Sequence, residues 1–272
     1  MCRQMSNLKT AVVCIARLEG RYINEWVSHY LGLGFDKVII CDNNHDEDGE
    51  NLGSMFEDNP NVIVEDYRNL VGYQMQCYTE IYQKYKDEFD WIAFYDVDEI
   101  LECKYNNIKE YLSDKSEYDC VMVNWLCFGD NEQIYADYTR PMQERFKQPL
   151  PIDIKVQYNF AENMHIKSIL KGGLDNVKFQ GNPHCTDSHL KCCNASGIQV
   201  NNMPWQMIDY RQAYIKHYVT KSLEEWYTNK MKRGSGDRPY ETFIQFYKDR
   251  FFKYNKPTQE KIDWLKEHNI QF

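Results

Sequence analysis

The chain has 272 residues, of which 43% are hydrophobic and 15% aromatic, and it carries a net charge of -9. This composition excludes a disordered protein, and the length is enough for a sizeable core. The acidic balance argues against nucleic acid as a partner. The ten cysteines are scattered along the chain. With no signal peptide recognisable at the start of the sequence, they predict free thiols in a reducing cytoplasm.

The first hundred residues alternate between strand and helix patterns. Apolar runs predict strands at residues 10–16, 37–41, 62–65 and 91–95, and helical spacing predicts helices near residues 23–32 and 71–85. This alternation is typical of a mostly parallel sheet with helices on both faces. Such sheets bind ligands at the carboxyl ends of their strands, which is where Asp42 lies.

The fourth predicted strand ends in three acids within four positions, Asp96, Asp98 and Glu99. Carboxylates one residue apart on an extended chain point to the same side. Their repulsion raises at least one pKa unless a cation neutralises them. Oxygen ligands of this kind suit Mn²⁺ or Mg²⁺ shared with a substrate phosphate. The sequence therefore predicts a metal site here, and the alternative is a solvated acidic turn.

The second half of the chain has a less regular pattern. Strands are predicted at residues 120–125, near residues 154, 166–170 and 177, and at residues 216–219, with an irregular stretch at residues 131–151. Ser222 and Glu225 form a capping-box pattern, which predicts a helix to about residue 233. A glycine-rich break follows, and then two aromatic-rich helices from about residues 240 and 258. We expect residues 1–233 to form the main domain and residues 234–272 a helical extension.

His217 is the histidine with the strongest case for a function. It lies in the last predicted strand, and imidazole is a reasonable third ligand for Mn²⁺. A satisfied core histidine is the alternative. Lys221, Lys230 and Arg233 follow it and could supply the cations that a diphosphate needs.

Several other patterns do not fit their usual function. The loop from Asn44 begins like an EF-hand, but Met55 stands where that loop needs a bidentate glutamate. The histidines and cysteines of residues 184–193 lack the Cys-x-x-Cys pair typical of structural zinc sites. No glycine-rich phosphate loop and no Gly-x-Ser-x-Gly elbow is present, which weakens a hydrolase interpretation.

An ordered set of short motifs resembles glycosyltransferase family 92 and its bacterial relatives within the family 2 group. Residues 94–101 are similar to the Asp-x-Asp-Glu metal motif of that group. The other matching segments are residues 17–26, 34–35, 42–44, 125–129, 145–146 and 216–225, with Lys167 and His184.

The resemblance implies a GT-A fold and transfer of a hexose from a nucleotide diphosphate sugar, in the presence of Mn²⁺ or Mg²⁺. The donor would be UDP-linked, with UDP-galactose among the candidates. The acceptor would be a saccharide, free or lipid-linked, in cell-surface polysaccharide or lipopolysaccharide synthesis. The residues it implies are Arg17, Glu19, Asp42 and Gln76 at the nucleotide, Asp96 at the ribose or metal, Asp98 and His217 at the metal, and Lys221 at the diphosphate.

The catalytic base is predicted separately. If configuration inverts, an acceptor hydroxyl needs a base on the far face of the sugar. Asp130 is the first candidate, with Glu132 and Glu99 behind it, although the resembling family has a small polar residue at position 130. A solvated loop acid is the alternative. Two rival functions are a sugar-nucleotide nucleotidyltransferase and a non-catalytic sugar-binding protein of the same fold.

The C-terminal extension mixes aromatic residues with lysine and arginine. Two interpretations follow. Its helices could pack their aromatic faces against the main domain. They could instead make peripheral contact with the inner face of the plasma membrane, where a lipid-linked acceptor would be presented.

Overall fold

The structure is a computed structural model that describes residues 8–186, 189–234, 247 and 249–270. The strands of this part of the chain are β1 Thr10–Ala16, β2 Lys37–Asp42, β3 Val62–Asp66, β4 Trp91–Phe94, β5 Glu99–Cys103, β6 Cys120–Phe128, β7 Ile166–Lys171, β8 Cys192–Asn194, β9 Gln199–Val200 and β10 Ala213–Tyr218. The α-helices are α1 Ile23–Gly32, α2 Leu52–Phe56, α3 Gln74–Tyr85, α4 Ile108–Ser113, α5 Met142–Arg145, α6 Leu223–Glu225, α7 Met231–Arg233 and α8 Gln259–Glu267. A π-helical turn, Trp226–Lys230, joins α6 to α7. Residues 247 and 249–254 are also helical.

The strands form one sheet in the order β3-β2-β1-β4-β7-β6-β10-β5. The first four strands of that order are parallel. β7 is antiparallel to both of its neighbours, and β10 is parallel to β6 and antiparallel to β5. The predicted fold class, an α/β sheet flanked by helices, is confirmed. The second half of the sheet is mixed rather than parallel.

Both faces of the parallel half are covered, which explains its almost wholly apolar strands. One face of β1 packs with α1, where Trp26 and Tyr30 are buried. The opposite face packs with α3, where Tyr78 and Ile81 are buried. The residues that follow these strands are therefore the first polar groups that the chain can present at the edge of the sheet.

The predicted strands near residues 154 and 177 are wrong, because neither segment finds a ladder partner. β5, which begins at Glu99 directly after the acidic turn, is a strand that the sequence pattern did not predict. β5 forms the edge of the sheet by antiparallel pairing with β10, more than a hundred residues later in the chain. That pairing places His217 opposite Glu99. Such a register depends on distant sequence and not on the local pattern.

The described C-terminal residues pack against the helix that follows Ser222. Trp226, Phe251, Trp264 and Leu265 are buried in one shared cluster. The predicted helix from Thr258 is confirmed, with the Thr258 side chain as its N-cap. The start of the helix predicted from residue 240 lies outside the described residues, and the domain boundary at residue 233 stays a prediction. In the part of the chain that the structure describes, no helix has the length and apolarity needed to cross a membrane.

Candidate active site

A cleft of about 540 Å³ runs along the edge of the sheet. Its first end lies where β1 and β2 finish and α3 begins, and it is lined by Ile15, Arg17, Asn43 and residues 70–75. Asp96, Asp98 and His217 lie in its middle. Its second end lies over β6 and β7 and includes Gln157, Tyr158, His165, His184 and Trp205. The sheet order places β4, which leads to Asp96, between these ends.

Asp98 is a buried carboxylate surrounded by positive groups. Its side chain is only 2% exposed, and Lys230 Nζ lies 2.7 Å from Oδ2. Lys221 Nζ and Arg233 Nη2 lie 3.7 and 3.8 Å from the same oxygen. Burial alone would raise the pKa of Asp98, but Lys230 and the other cations hold that pKa well below its usual value. This arrangement stabilises a negative charge in a place that also faces the cleft.

His217 faces the other oxygen of the same carboxylate. Its Nε2 lies 3.8 Å from Asp98 Oδ1, which is too long for a hydrogen bond. Its Nδ1 is buried and has no hydrogen-bond partner. Burial lowers the pKa of His217 to about 3, so the ring is neutral at physiological pH. A buried neutral imidazole without hydrogen bonds is a group that still needs a ligand.

Asp96 lies in the cleft, but both of its oxygens already have partners. Oδ1 accepts hydrogen bonds from Gln74 and Tyr78 at 2.9 and 3.0 Å, and Oδ2 accepts one from Lys167 at 2.8 Å. Lys167 is completely buried. Both Asp96 oxygens are therefore engaged by protein groups, whereas Asp98 presents one oxygen, Oδ1, toward His217.

Gln76, predicted at the nucleotide, lies on the face of α3 away from the cleft. Its side chain points to solvent and donates to Glu80 at 2.7 Å. Gln74, two residues earlier, lines the cleft and contacts Asp96. Two residues on a helix are separated by more than half a turn, so only one of the pair can face the site.

The two predicted bases, Glu99 and Asp130, do not line the cleft. Glu99 is fully buried beneath the acidic turn, where Oε2 accepts the backbone N–H of Asp96 at 2.9 Å. Burial raises the pKa of Glu99 well above its usual value. Asp130 is buried and forms an ion pair with Lys261 of α8. Both carboxylates therefore support the fold, and neither is placed to accept a proton from a substrate.

The first end of the cleft contains Arg17, as predicted for the nucleotide. Its Nε donates to Asp48 at 2.7 Å, which orients the guanidinium. Asp42 does not line the cleft. It is buried, and its carboxylate accepts hydrogen bonds from the backbone N–H groups of Asn44 and Leu52. Asn43 reaches the cleft instead.

Glu19 and Lys221 stand behind the cleft rather than in its lining. Glu19 is buried and paired with Arg233. Lys221 is buried, and its backbone adopts the left-handed conformation with φ of 57°. Its Nζ lies 4.6 Å from the centre of the Tyr22 ring. A lysine in this conformation is strained, and strain of this kind clusters at functional sites. Of the cations around Asp98, Lys230 and Arg233 are the ones that line the cleft.

A buried ion pair fixes the segment that carries Lys230. The guanidinium of Arg145 makes two hydrogen bonds to Glu225, at 2.9 and 2.8 Å. Tyr22 Oη donates to the same carboxylate at 2.8 Å. The predicted capping box of Ser222 and Glu225 is present. These contacts start the helix at a fixed place, so the next turns bring Lys230 to Asp98.

The residues described here could hold a divalent ion only with help from a substrate. Within these residues, no group of three or more His, Cys, Asp or Glu side chains is arranged to bind a metal ion. Asp98 and His217 offer one oxygen and one nitrogen donor, and diphosphate oxygens would supply the remaining positions. Mn²⁺ and Mg²⁺ are commonly bound through one or two side chains and substrate phosphates. On the chemistry of its donors, the pair fits such an ion.

No protein-family model matches this sequence, and no curated protein matches it. Among solved structures, the chain is similar to S. aureus TarS at 14% identity and a TM-score of 0.38, over 60% of this chain and 28% of that one. It is also similar to S. aureus TarS 1-349 in complex with UDP-GlcNAc, at 14% identity and a TM-score of 0.37, over 60% of this chain and 45% of that one. The chain thus spans less than half the length of these proteins. Likeness at this level supports no conclusion about function.

Proposed function

We propose that the protein is a metal-dependent glycosyltransferase that moves a hexose from a nucleotide diphosphate sugar to a saccharide acceptor. The observation that carries the proposal is the buried Asp98 carboxylate, which faces the neutral His217 ring on one side and Lys230 and Arg233 on the other. It lies in the cleft, between the end lined by Arg17 and the end lined by Trp205. We take the donor to be a UDP-sugar, with UDP-galactose a candidate.

The donor nucleotide binds at the end of the cleft that Arg17 and Asn43 line, beside the carboxyl ends of β1 and β2. Lys230 and Arg233 bind the diphosphate by charge-assisted hydrogen bonds. Asp98 and His217 would hold Mn²⁺ or Mg²⁺, and the ion would supply Lewis-acid stabilisation for negative charge on the leaving diphosphate. Lys221, close behind Asp98, strengthens the positive potential that favours that leaving group.

The acceptor hydroxyl must lose a proton to a base in the cleft. The acids that line the cleft are already engaged, and Glu99 and Asp130 lie elsewhere. His184 donates from Nδ1 to the Ile166 carbonyl at 2.9 Å, which leaves the lone pair on Nε2. Burial lowers the pKa of His184 well below its usual value, so the ring is unprotonated at physiological pH. We therefore assign the role of base to His184.

The setting of the reaction is also part of the proposal. We place it in cell-surface polysaccharide or lipopolysaccharide synthesis on the cytoplasmic side of the membrane. Among the described aromatic residues of the C-terminal extension, Tyr247, Phe251, Tyr254 and Trp264 are buried and Phe252 is half-buried. Peripheral membrane contact would therefore have to come from other residues. Phe243, Ile244, Phe246 and Lys248, on which that prediction also depended, lie outside the described residues.

The first experiment is a panel of UDP-sugars incubated with the full chain and Mn²⁺, with release of UDP as the readout. We expect slow UDP release from one sugar, its loss in EDTA, and its loss in Asp98→Asn. Release of UTP in the presence of pyrophosphate would favour the nucleotidyltransferase alternative. Binding of a UDP-sugar without any turnover, even with a broad acceptor panel, would favour the non-catalytic alternative.

A further inference from the structure

An aromatic wall, formed by Tyr158, Phe160 and Trp205, lies at the second end of the cleft. Tyr158 and Trp205 line the cleft, and the Phe160 ring contacts both of them. The Tyr158 and Phe160 rings are stacked, with centroids 4.9 Å apart and planes 4° from parallel. Trp205 lies 5.2 Å from Phe160. Tyr158 is 43% exposed and Trp205 is 39% exposed, so a large part of each aromatic side chain is accessible to a ligand. Large apolar side chains of this kind offer a flat contact surface at the mouth of a polar cleft.

The backbone holds the aromatic wall in place. His165 and Trp205 form an isolated β-bridge, and the N–H of Gln206 donates to the Met164 carbonyl at 2.8 Å. The His165 ring lies 5.4 Å from both Tyr158 and Phe160. The wall is therefore organised without a ligand, which lowers the entropic cost of binding one.

Among the described residues, the charged side chains that line the cleft beside the aromatic wall are matched by opposite charge. The charged groups that line this end are Glu162 and Arg250. Tyr254 Oη donates to Glu162 at 3.2 Å and accepts from Arg250 at 3.2 Å, so opposite charges lie on the two sides of one hydroxyl. Burial lowers the pKa of His165, which keeps that ring neutral at physiological pH. An anionic ligand would find no free cation here.

Two residues that line the cleft, His184 and Trp125, each have a ring nitrogen that makes no hydrogen bond with the described residues. His184 Nε2 makes no hydrogen bond with any described residue, and the other ring nitrogen fixes its direction. The indole Nε1 of Trp125 is buried without a partner, and this side chain is only 6% exposed. The Trp125 ring contacts His184 on one side and His217 on the other, with centroids 5.0 and 4.2 Å away. One acceptor and one donor are thus left for hydroxyl groups of a ligand.

We propose that the aromatic wall is the acceptor subsite and that it binds an uncharged sugar ring. A pyranose has an apolar face of C–H bonds, which packs on aromatic rings, and an edge of hydroxyls, which suits Nε2 of His184 and Nε1 of Trp125. The sheet order places the wall across Asp98 from the nucleotide end. This inference rests on the proposed glycosyltransferase function.

The test is saturation-transfer NMR on the full chain with UDP and Mg²⁺, which is diamagnetic. The probes are the methyl glycosides of glucose, galactose and N-acetylglucosamine, with methyl glucuronide as the charged comparison. We expect a neutral glycoside to bind, and Trp205→Ala and Tyr158→Ala each to raise its dissociation constant roughly three- to thirtyfold, through loss of one aromatic contact. Met207→Ala is the matched control, because Met207 is an apolar neighbour that is 84% exposed and outside the cleft.

The outcomes separate this inference from the proposed function. Absence of neutral-glycoside binding, a preference for the glucuronide, or wall variants that behave like Met207→Ala would overturn the acceptor subsite. A loss of UDP affinity in the wall variants would overturn it as well, because the wall would then hold the nucleobase. Absence of UDP binding in the unmodified protein would instead count against the glycosyltransferase proposal.

Discussion

Replacing Lys230 should change the affinities for Mn²⁺ and for UDP in opposite directions. Its Nζ lies 2.7 Å from Asp98 Oδ2, the carboxylate that we assign to the metal. In the absence of substrate, Lys230 neutralises Asp98 and competes with the metal ion. With the donor present, the same side chain is placed to bind the diphosphate. Lys230→Met should therefore strengthen binding of Mn²⁺ alone and weaken binding of UDP.

The expected size follows from the geometry. Unit charges at 2.7 Å attract by about 6 kcal/mol at an effective dielectric constant of about 20. Desolvation offsets most of that attraction, and three other cationic or imidazole groups remain around Asp98. A charge-assisted hydrogen bond contributes about 1.5–3 kcal/mol, which corresponds to roughly a tenfold to hundredfold change in a dissociation constant. We expect changes of that size in each direction.

The assay is calorimetric titration of the full chain with Mn²⁺ alone, and then with UDP at saturating Mn²⁺. Lys232→Met is the matched control, because Lys232 lies two residues away in α7 and is exposed. It removes the same charge without touching Asp98. If Lys230→Met and Lys232→Met changed both affinities equally, the effect would be one of net charge, and the assignment of Lys230 would be wrong. Weaker binding of both ligands in Lys230→Met would also refute the reasoning.

Three further predictions follow from the described contacts. His184→Gln should lower the turnover number about a hundredfold and leave UDP affinity unchanged; this is near the low end for general bases, because the pKa of His184 is depressed. The exposed-site variant His189→Gln is the control. If the turnover numbers of the two variants agreed within twofold, His184 would not be the base. Asp130→Asn should lower the free energy of unfolding, measured in urea, by about 3–5 kcal/mol, because Lys261 loses its buried partner. The folded fraction should keep its turnover number. Equal stability of Asp130→Asn and the control Glu132→Gln would contradict this. A chain ending at Arg233 should unfold, because it loses Phe251 and Trp264 from the shared cluster, so membrane contact is tested on the full chain. We expect the full chain to float weakly with anionic liposomes and salt to abolish that flotation. Absence of flotation at low salt would remove the membrane from the proposal.

The sequence predicted those parts of the site that depend on local pattern. Asp96 and Asp98 follow a strand buried on both faces, and the capping box at Ser222 marks where the helix carrying Lys230 begins. His217 lies in a strand, as the apolar run around it indicated. These features arise from short-range chemistry, and the structure brings all of them to one cleft.

The errors concern which way a side chain points and what lies opposite it. Gln74 and Gln76 differ by two positions at the start of α3, and the predicted helix boundary was too uncertain to decide which one faces the site. Asp130 looked free as a loop acid because its partner, Lys261, lies in the last helix of the chain. Glu99 looked like a third acid of the turn, but it starts a strand whose pairing depends on β10. Each of these facts depends on tertiary contacts between distant parts of the sequence.

The most direct test of the central claim is the binding of Mn²⁺ to the full chain with and without UDP, followed by electron paramagnetic resonance of the free ion. If Asp98 and His217 supply two ligands and a diphosphate supplies the rest, one equivalent of Mn²⁺ should bind tightly only when UDP is present. Asp98→Asn and His217→Ala should each abolish that binding, with circular dichroism to check that each variant is folded. UDP binding that is unaffected by Mn²⁺, or Mn²⁺ binding that survives both substitutions, would contradict the account.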